Sequence, residues 1–397
     1  MEHLRFAQRF EAPLMHHWRW HHNTPDKEKR LKIGYVSGDF RNHAVAYFIE
    51  PILGHHDKSQ LEVYCYYNHP QHDSITQRIR QMVDHWVPCK SLSDDNLAER
   101  IRSDGIDILI DLSGHTGHNR LLTFAKKPAP VQITWLGYPG TTGLAAMDYR
   151  LTDAYLDAPS MTEQYHTETL LRLPCAVFHP DPLSPPVNAL PALSSGQFTL
   201  ACLNNLAKIN QDVIRLWARI LTALPQARLL LGNVMGESAR RGLLDMFAGE
   251  GIAADRLILH PKMALSDYLE LHHQIDLALD TFPYNGGTSS CHSLWMGVPV
   301  MTLAGHTTVS RVGVAVMAGA GLPEFVTSTE DEYVERTLEL ARDLPRLNQV
   351  RQTARDRMNG RPGSDPEDFT RRLEHEYRSV WTRWCNSAGP KSGEILG

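Results

Sequence analysis

Residues 280–300, DTFPYNGGTSSCHSLWMGVPV, place two glycines and three hydroxyl side chains between a predicted strand and a predicted helix. Glycines allow the backbone to turn several N–H groups to one side, and a helix N-terminus adds partial positive charge. The spacing matches neither a P-loop nor G-x-G-x-x-G, so an ordinary capped turn remains the alternative. The segment predicts an anion-binding nest suited to phosphate, formed by Asn285, Gly286, Gly287, Thr288 and Ser289.

Two further loops in the same half of the chain favour an anion. LNNLAKIN (203–210) places Asn204, Asn205 and Lys208 after a predicted strand, where open α/β sheets bind ligands. A lysine there can neutralise a diphosphate, although a solvated loop lysine is the alternative. GHTTVSRVG (305–313) adds Arg311 in another turn before a helix, or simply a capped helix. Three such loops together indicate a phosphate site in the second half of the chain.

The first half contributes histidines and a glycine-rich turn. SGDFRNHAV carries His43, VDHWVPC carries His85, and DLSGHTGHNR adds several more polar side chains. We expect these segments to be loops that face the ligand, although a lone histidine is more often structural. LGYPGTTG (136–143) can bring its backbone close to a ligand because glycines leave room.

Strands alternate with helices in both halves, which predicts right-handed βαβ units and two parallel sheets. A ligand cleft between two Rossmann-like halves is the expected α/β architecture. The expected divisions are a helical segment and linker at 1–30, a first domain at 31–180, a Pro-rich linker at 181–197, a second domain at 198–362, a C-terminal helix at 363–388 and a disordered tail at 389–397. Residues 176–197 hold five prolines and no helical period, and no internal 34-residue repeat is evident.

Composition excludes several classes of protein. The 397 residues carry a formal net charge of −5, which offers no basic field for nucleic acid. Six scattered cysteines lack C-x-x-C spacing, so neither a disulfide framework nor a zinc knuckle is expected. No apolar run approaches the roughly 20 residues that cross a bilayer, and no signal-peptide core is evident. We expect a cytoplasmic protein that binds neither nucleic acid nor membrane, and we do not expect the histidine-rich N-terminal segment to bind metal.

Seven segments, in this order, resemble one family: GYVSGDFRNH, DGIDILIDLSGHT, APVQITWLGYPGTTG, MDYRLTD, LNNLAKI, LDTFPYNGGTSSCHSLWMGVPVMTL and SRVG. They are similar to the catalytic region of O-GlcNAc transferases and their SPINDLY-type and bacterial relatives, over about residues 30–385. The resemblance implies a GT-B fold, with an acceptor-side first domain and a nucleotide-sugar second domain. It implies inverting, metal-independent transfer of GlcNAc from UDP-GlcNAc to Ser or Thr hydroxyls of a protein or peptide. The tetratricopeptide repeat array of these relatives has no counterpart in this sequence.

The resemblance also implies roles for individual residues. His43 and His85 match active-site histidines, and Lys208 matches the lysine that stabilises the leaving UDP. Thr288 and Ser289 match hydroxyls on the phosphates, while His292 stands where animal relatives place a carboxylate on the ribose. The turn that contacts the donor sugar is matched by Gly137, Tyr138, Pro139 and Gly140.

Three departures leave the donor and the acceptor open. Ala44 follows His43 where a proline often stands, His292 replaces the carboxylate that animal relatives place on the ribose, and HPKMALSDYLELHH lacks expected basic residues. The alternatives are transfer of fucose from GDP-fucose, transfer of glucose from UDP-glucose to Asn, and a non-catalytic sugar-nucleotide module. The sequence contains no D-x-D, so Lys208 and the nest are expected to replace a metal at the diphosphate, without any cofactor.

Overall fold

The computed structural model of the protein describes residues 2–174, 178, 180, 184–361 and 363–388. The predicted tail at 389–397 and six residues of the Pro-rich segment (176, 177, 179 and 181–183) lie outside the described residues, as do residues 1, 175 and 362. The chain divides into two compact units. The first comprises Met1–Ala154, Pro159–His179 and Asp365–Gly397, and the second comprises Tyr155–Ala158 and Pro180–Ser364. Among the described residues, none of the helices has the length and apolarity that crossing a bilayer would require.

The first unit is built on a parallel sheet of seven strands in the order β3-β2-β1-β4-β5-β6-β7. Its strands are β1 (Leu31–Ser37), β2 (Leu61–Tyr67), β3 (His85–Pro88), β4 (Ile108–Asp111), β5 (Val131–Thr134), β6 (Tyr149–Asp153) and β7 (Thr169–Leu173). β1 and β4 are apolar runs buried on both faces, which is the pattern of central parallel strands. The helices are α1 (Glu2–Phe10), α2 (Ala46–His55), α3 (Ser74–Met82), α4 (Asp94–Asp104) and α5 (Leu121–Phe124).

The second unit repeats the arrangement with six parallel strands in the order β10-β9-β8-β11-β12-β13. Its strands are β8 (Thr199–Cys202), β9 (Arg228–Leu231), β10 (Leu257–Leu259), β11 (Leu277–Leu279), β12 (Val300–Leu303) and β13 (Val326–Thr327). Its helices are α6 (Ala192–Ser195), α7 (Gln211–Ala223), α8 (Gly236–Gly249), α9 (Leu265–Leu271), α10 (Thr288–Trp295), α11 (Val312–Gly319), α12 (Glu330–Arg342) and α13 (Leu344–Gly360). Both parallel sheets were predicted from the alternation of strands and helices.

The fourth strand of each unit, β4 or β11, is bracketed by two buried aspartates. DILID (107–111) and DLALD (276–280) share this pattern. The first aspartate of each pair accepts a backbone N–H from the first strand of its sheet, from Lys32 to Asp107 at 2.9 Å and from Thr199 to Asp276 at 2.8 Å. The second aspartate lies at the carboxyl edge of the sheet, where it can act on the following loop.

The C-terminal helix α14 (Pro366–Ala388) packs on the first unit, against α2, β5 and β7. The Asp365 side chain accepts the N–H of Glu367 at 2.8 Å, as expected of an N-terminal cap. An apolar stripe of this helix joins the hydrophobic core of the unit and consists of Phe369, Leu373, Tyr377, Trp381 and the partly buried Trp384. The Tyr377 hydroxyl lies 3.0 Å from that of Tyr35 in β1. The helix therefore contributes one face to the core of the first unit.

One part of the predicted Pro-rich linker is ordered differently from the expectation. Residues 176–197 have no helical period and were predicted to be a linker, but at 192–195 the chain forms one turn of helix, α6. The Ala192 N–H donates to the buried Asp276 carboxylate at 2.9 Å, and Arg351 donates to the Asn188 backbone carbonyl at 2.9 Å. Tertiary hydrogen bonds therefore order this short segment, whose sequence has no helical pattern of its own.

We predict that Leu373→Ala lowers the free energy of unfolding of the first unit by about 2–5 kcal/mol, because the fully buried side chain leaves a cavity in the core. Leu4→Ala is the matched control: Leu4 is 55% exposed on α1, and its loss should change the free energy by less than about 0.5 kcal/mol. Denaturant unfolding followed by circular dichroism measures both. Equal effects of the two variants would contradict the packing of α14.

Candidate active site

The predicted nest lies at the carboxyl edge of the second sheet, between β11 and α10. The helix begins at Thr288, so the three hydroxyl residues form its first turn. The sequence had predicted that they precede the helix, and that part of the prediction was wrong. Its first intrahelical hydrogen bond runs from the Cys291 N–H to the Gly287 carbonyl at 3.0 Å. The amides of residues 288–290 therefore point out of the helix N-terminus, where an anion can accept them.

A buried carboxylate, Asp280, organises the loop before this helix. One of its oxygens, Oδ1, accepts the Thr281 N–H at 2.9 Å, the Gly286 N–H at 2.7 Å and the side-chain amide of Asn204 at 3.2 Å. The other oxygen accepts the Thr302 hydroxyl of β12 at 2.9 Å. Asp280 is only 1% exposed, and burial raises its pKa to about 6. Its hydrogen bonds and Lys208 act in the opposite direction and favour the charged form.

Lys208 lies beside the nest, at the end of a short 3-10 helix, Leu206–Lys208. The Asn205 side chain caps this helix by accepting the Ala207 N–H at 3.0 Å, so Asn205 helps to position the lysine. The Lys208 ammonium donates to the Asn285 carbonyl at 2.7 Å and lies 4.2 Å from the centre of the Tyr284 ring. Burial lowers the pKa of Lys208, and the nearby Asp280 opposes that shift. The structure thus brings the lysine and the glycine turn together, as the sequence predicted.

The two glycines of the nest differ in what they require. A Cβ at Gly286 would lie 2.5 Å from the Ser290 hydroxyl oxygen and 2.7 Å from the Asn204 side-chain oxygen. A Cβ at Gly287 would meet only Val312, at 3.6 Å. Gly287 has φ −116°, which lies outside the left-handed region that favours glycine. Close packing at Gly286 is the stronger constraint on this turn.

The remaining predicted residues of the second unit have distinct surroundings. The Ser289 hydroxyl donates to the Asn204 side-chain oxygen, and Thr288 is partly exposed at the helix start. His292 is 6% exposed beneath the Tyr268 ring, and burial lowers its pKa to about 4, so its imidazole is neutral at pH 7. The Arg311 guanidinium donates to the Tyr155 carbonyl at 2.8 Å and to the Gly305 carbonyl at 3.2 Å. Arg311 therefore braces its own loop.

In the first unit, His43 lies on the loop between β1 and α2. Its Nδ1 is 3.6 Å from an Asp39 carboxylate oxygen and 3.3 Å from the Val45 backbone nitrogen. Burial lowers the pKa of His43, Asp39 raises it and Arg41 lowers it, with a net lowering. A half-exposed, neutral imidazole beside a carboxylate is equipped to accept a proton.

His85 has a different setting. It is the first residue of β3, so the expectation that it lies on a ligand-facing loop was wrong. Its ring stacks on Tyr64 with centroids 4.0 Å apart, and its Nε2 lies 2.7 Å from a Glu62 carboxylate oxygen. Because a parallel strand rises about 3.3 Å per residue, His85 lies roughly 10 Å from the carboxyl end of β3. The structure does not bring His85 and His43 together.

The predicted sugar-contacting turn is held from beneath by buried charges. Arg150, 3% exposed, donates to the backbone carbonyls of Tyr138 at 3.1 Å and Gly140 at 2.8 Å. A Cβ at Gly137 would lie 2.7 Å from the Ser113 Cα, so the turn passes close to the backbone after β4. Pro139 stands between the two anchored carbonyls.

The end of this turn is held by a buried carboxylate. Glu168, 5% exposed, accepts the Thr141 hydroxyl at 2.7 Å and the Thr142 N–H at 2.7 Å. Glu11 accepts two N–H groups just beyond, those of Ala145 at 2.8 Å and Ala146 at 2.7 Å. These buried hydrogen bonds therefore hold the backbone of the turn in place from its inner side.

Sequence reasoning missed Asp280, Arg150 and Glu168. Their signal was faint: DILID and DLALD repeat one pattern in the two halves, and Asp280 stands directly before the quoted loop. Within the described ranges, no group of three or more His, Cys, Asp and Glu side chains is arranged to hold a metal ion.

The sequence matches the model of one protein family, described as glycosyl transferase family 41, over residues 10–183 and 192–369. The chain belongs to glycosyl transferase family 41. This family 41 chain is 40% identical to a probable UDP-N-acetylglucosamine–peptide N-acetylglucosaminyltransferase SPINDLY of Hordeum vulgare, and the match covers 98% of the chain. The similarly named SEC protein of Arabidopsis thaliana is 30% identical over 93% of the chain. The chain spans about two fifths of the length of these relatives, 42% and 39% respectively.

Solved structures agree with the family and define the fold. A mutant of the Thermobaculum terrenum O-GlcNAc transferase superposes with a TM-score of 0.90 at 41% identity, covering 98% of this chain and 74% of that one. Anabaena HepE in complex with UDP superposes with a TM-score of 0.56 at 12% identity, covering 88% of the family 41 chain and 100% of that one, and shows the fold alone. The family 41 chain has the GT-B-type α/β fold with two Rossmann-like domains, as predicted.

Gly286→Ala should weaken binding of UDP by about tenfold or more, because the new methyl group would displace Asn204 and Ser290 and leave buried polar groups unpaired. Gly242→Ala is the matched control: it lies in α8 with nothing within 4 Å of an added Cβ. Calorimetric titration with UDP compares the two variants with the wild-type protein. Unchanged affinity in Gly286→Ala would contradict the nest as the phosphate site.

Proposed function

We propose that this chain is the catalytic region of an inverting glycosyltransferase that moves GlcNAc from UDP-GlcNAc to Ser or Thr hydroxyls of proteins or peptides. The observation that carries the proposal is the contact of Lys208 with Asn285, the first residue of the predicted nest, at the carboxyl edge of the second sheet. Several relatives that share about 40% identity with this chain bear names stating transfer of N-acetylglucosamine to peptides. We further propose that the protein acts in the cytoplasm and binds neither nucleic acid nor membrane.

The diphosphate is the leaving group, and the second unit is equipped to stabilise it. Negative charge grows on the diphosphate as the glycosidic bond breaks, and preorganised donors aimed at that charge lower the barrier. Lys208 supplies a cation whose solvation is already reduced by burial. The first-turn amides of α10 supply N–H donors and partial positive charge at the same edge of the sheet. Together they perform the task that Mg²⁺ performs in enzymes with a D-x-D motif.

The acceptor hydroxyl must lose a proton as it attacks. His43 is the candidate base in the first unit, because burial keeps its imidazole neutral and Asp39 lies 3.6 Å from its Nδ1. Because the Val45 N–H donates to Nδ1 at 3.3 Å, Nδ1 is the acceptor nitrogen in the structure. Nε2 can take the acceptor's proton only once Nδ1 exchanges this bond for an Nδ1–H directed at Asp39. His85 is not assigned this role because its Nε2 already lies 2.7 Å from Glu62. The turn at 137–140 is proposed to contact the donor sugar.

The donor is tested by hydrolysis and transfer with UDP-GlcNAc, UDP-glucose and GDP-fucose in parallel, using a library of Ser/Thr-containing peptides. We expect UDP-GlcNAc to be consumed fastest, with GlcNAc appearing on peptide hydroxyls by mass spectrometry. Preferred consumption of GDP-fucose, or transfer to Asn, would replace the proposed donor or acceptor while keeping the reaction class. Binding of nucleotide sugars without any turnover would identify a non-catalytic module.

Lys208→Ala should reduce kcat by about 10²-fold or more, the scale of losing one preorganised charge-stabilising donor, and should change UDP affinity less. The difference arises because the charge that Lys208 meets is larger in the transition state than in the bound donor. Lys58→Ala, an exposed lysine after α2, is the matched control and should leave kcat unchanged. Steady-state kinetics measures both variants. A kcat of Lys208→Ala within about threefold of the wild type would remove the lysine from the mechanism.

Transfer should persist in excess EDTA, and added Mg²⁺ or Mn²⁺ should change the rate by less than about twofold, because lysine and backbone donors meet the diphosphate without a cation. Initial rates before and after chelation measure this. Loss of activity in EDTA with recovery on adding Mn²⁺ would show that a metal carries the leaving group.

A further inference from the structure

The buried Asp280 carboxylate is an anion next to a site that is proposed to bind a dianion. Because like charges repel, its position there needs a physical explanation. Its Oδ1 alone gathers three donors, the N–H groups of Thr281 and Gly286 and the side-chain amide of Asn204. These donors come from two separate loops, one after β8 and one after β11. The carboxylate therefore joins the lysine-bearing loop to the glycine turn.

The contact with Asn204 fixes the direction of a hydrogen-bond chain. An ionised carboxylate only accepts hydrogen bonds, so the NH₂ of Asn204 must face Asp280. The Asn204 oxygen then faces the nest, where it accepts the Ser289 hydroxyl. The side chains of Asn204 and Ser290 leave no room for a Cβ at Gly286. The shape of the nest thus depends on Asp280 through Asn204.

We infer that Asp280 is a positioning residue for the donor diphosphate: it holds Gly286 and Asn204 in the phosphate-binding arrangement without itself contacting the phosphate. The inference rests on the proposed function, since it concerns the same nucleotide-sugar site. Asp111 in the first unit provides a structural twin. It is equally buried and accepts the Ser113 N–H at 3.0 Å, the Gly114 N–H at 2.8 Å and the Thr134 hydroxyl at 2.9 Å. If removing a buried carboxylate of this kind lowers the stability of the fold in general, the loss of stability should appear in both units.

The first experiment measures UDP affinity by calorimetry at pH 7.5 for Asp280→Ala, Asp280→Asn and Asp111→Ala. We expect Asp280→Ala to weaken binding by about tenfold or more, because its three donors lose their shared acceptor. Asp280→Asn should remain within about threefold of the wild type, because the amide oxygen can replace Oδ1 and the Thr302 hydroxyl can accept from the amide NH₂. Asp111→Ala should leave UDP affinity within about twofold of the wild type while lowering Tm as Asp280→Ala does.

Two results would overturn the inference. Asp280→Ala could bind UDP as the wild type does, or Asp111→Ala could weaken UDP binding equally, which would indicate a general effect of destabilisation. In either case GlcNAc transfer by the wild-type protein would leave the proposed function standing. If the wild-type protein binds GDP instead of UDP, the proposed donor is wrong and the same comparison is made with GDP. If it binds neither, both the proposed function and this inference fail.

A second measurement uses a variant that keeps the shape, in case Asp280→Ala does not fold. Around the carboxylate, the titratable groups are Lys208, Cys202 of β8 and Tyr333 of α12, whose hydroxyl donates to the Asp280 backbone carbonyl at 3.1 Å. Burial raises the pKa of Cys202 to about 12 and also raises the pKa of Tyr333, so both stay neutral. A bound diphosphate adds negative charge, which raises the Asp280 pKa above its value of about 6.

Donor binding near pH 6.5 should therefore take up part of a proton, about 0.2–0.5 per site, which calorimetry in two buffers of different ionisation enthalpy measures. UDP-GlcNAc is the probe, because its diphosphate has no ionisation between pH 5 and 8. The uptake should disappear in Asp280→Asn and persist in Asp111→Asn. Equal uptake by the wild-type protein and Asp280→Asn would show that Asp280 is not coupled to the donor, and would overturn the inference.

Discussion

A buried carboxylate at the carboxyl end of the fourth strand is the interaction on which the loops of each unit depend. Burying an ionised group away from water is costly unless hydrogen bonds replace its hydration. Asp111 and Asp280 obtain those bonds from backbone N–H groups of the loop that follows and from a threonine on the next strand. Each loop is thereby held against its sheet, which keeps a glycine-rich segment in one conformation.

In the second unit this arrangement balances opposite charges within a small volume. Burial raises the pKa of Asp280 and lowers the pKa of Lys208, so each group destabilises its own charged form and is stabilised by the other. The lysine is also held by the Asn285 carbonyl and the Tyr284 ring. Such a site is arranged before any ligand arrives, and arrangement in advance is what makes electrostatic stabilisation of a leaving group effective.

The first unit uses buried charges for a different purpose. Arg150 and Glu168 hold the backbone of the turn that contains Tyr138 and Gly140, and neither side chain needs to reach the ligand. Exposed ion pairs contribute little to stability because water and salt screen them. The pair between Arg19 and Glu99, more than half exposed on both sides, belongs to that weaker class. Whether a charged side chain helps to shape the site therefore depends on how deeply it is buried, and not on how many charged side chains the unit carries.

The sequence alone determined the two parallel sheets, because apolar strands alternate with amphipathic helices throughout the chain. It also placed Lys208 and the glycine turn directly after predicted strands of the second half, where side chains that follow parallel strands meet at one edge. These features are local patterns, and local patterns can be read from spacing. The tertiary structure decided that these two strands, β8 and β11, are neighbours in the sheet.

Tertiary structure decided which side chains meet across the sequence. His85 was predicted to lie on a loop, but strand pairing with β2 places it on β3 beside Glu62. The packing constraint on the glycine turn falls on Gly286 and not on Gly287, because Asn204 approaches Gly286 from a loop more than 80 residues away in the chain. The role of Asp280 was not predicted from the sequence, since its hydrogen-bond donors come from Asn204 and Thr302 as well as from its own loop. Spacing along a chain specifies faces and edges, whereas the partners of a buried charge depend on how distant segments pack.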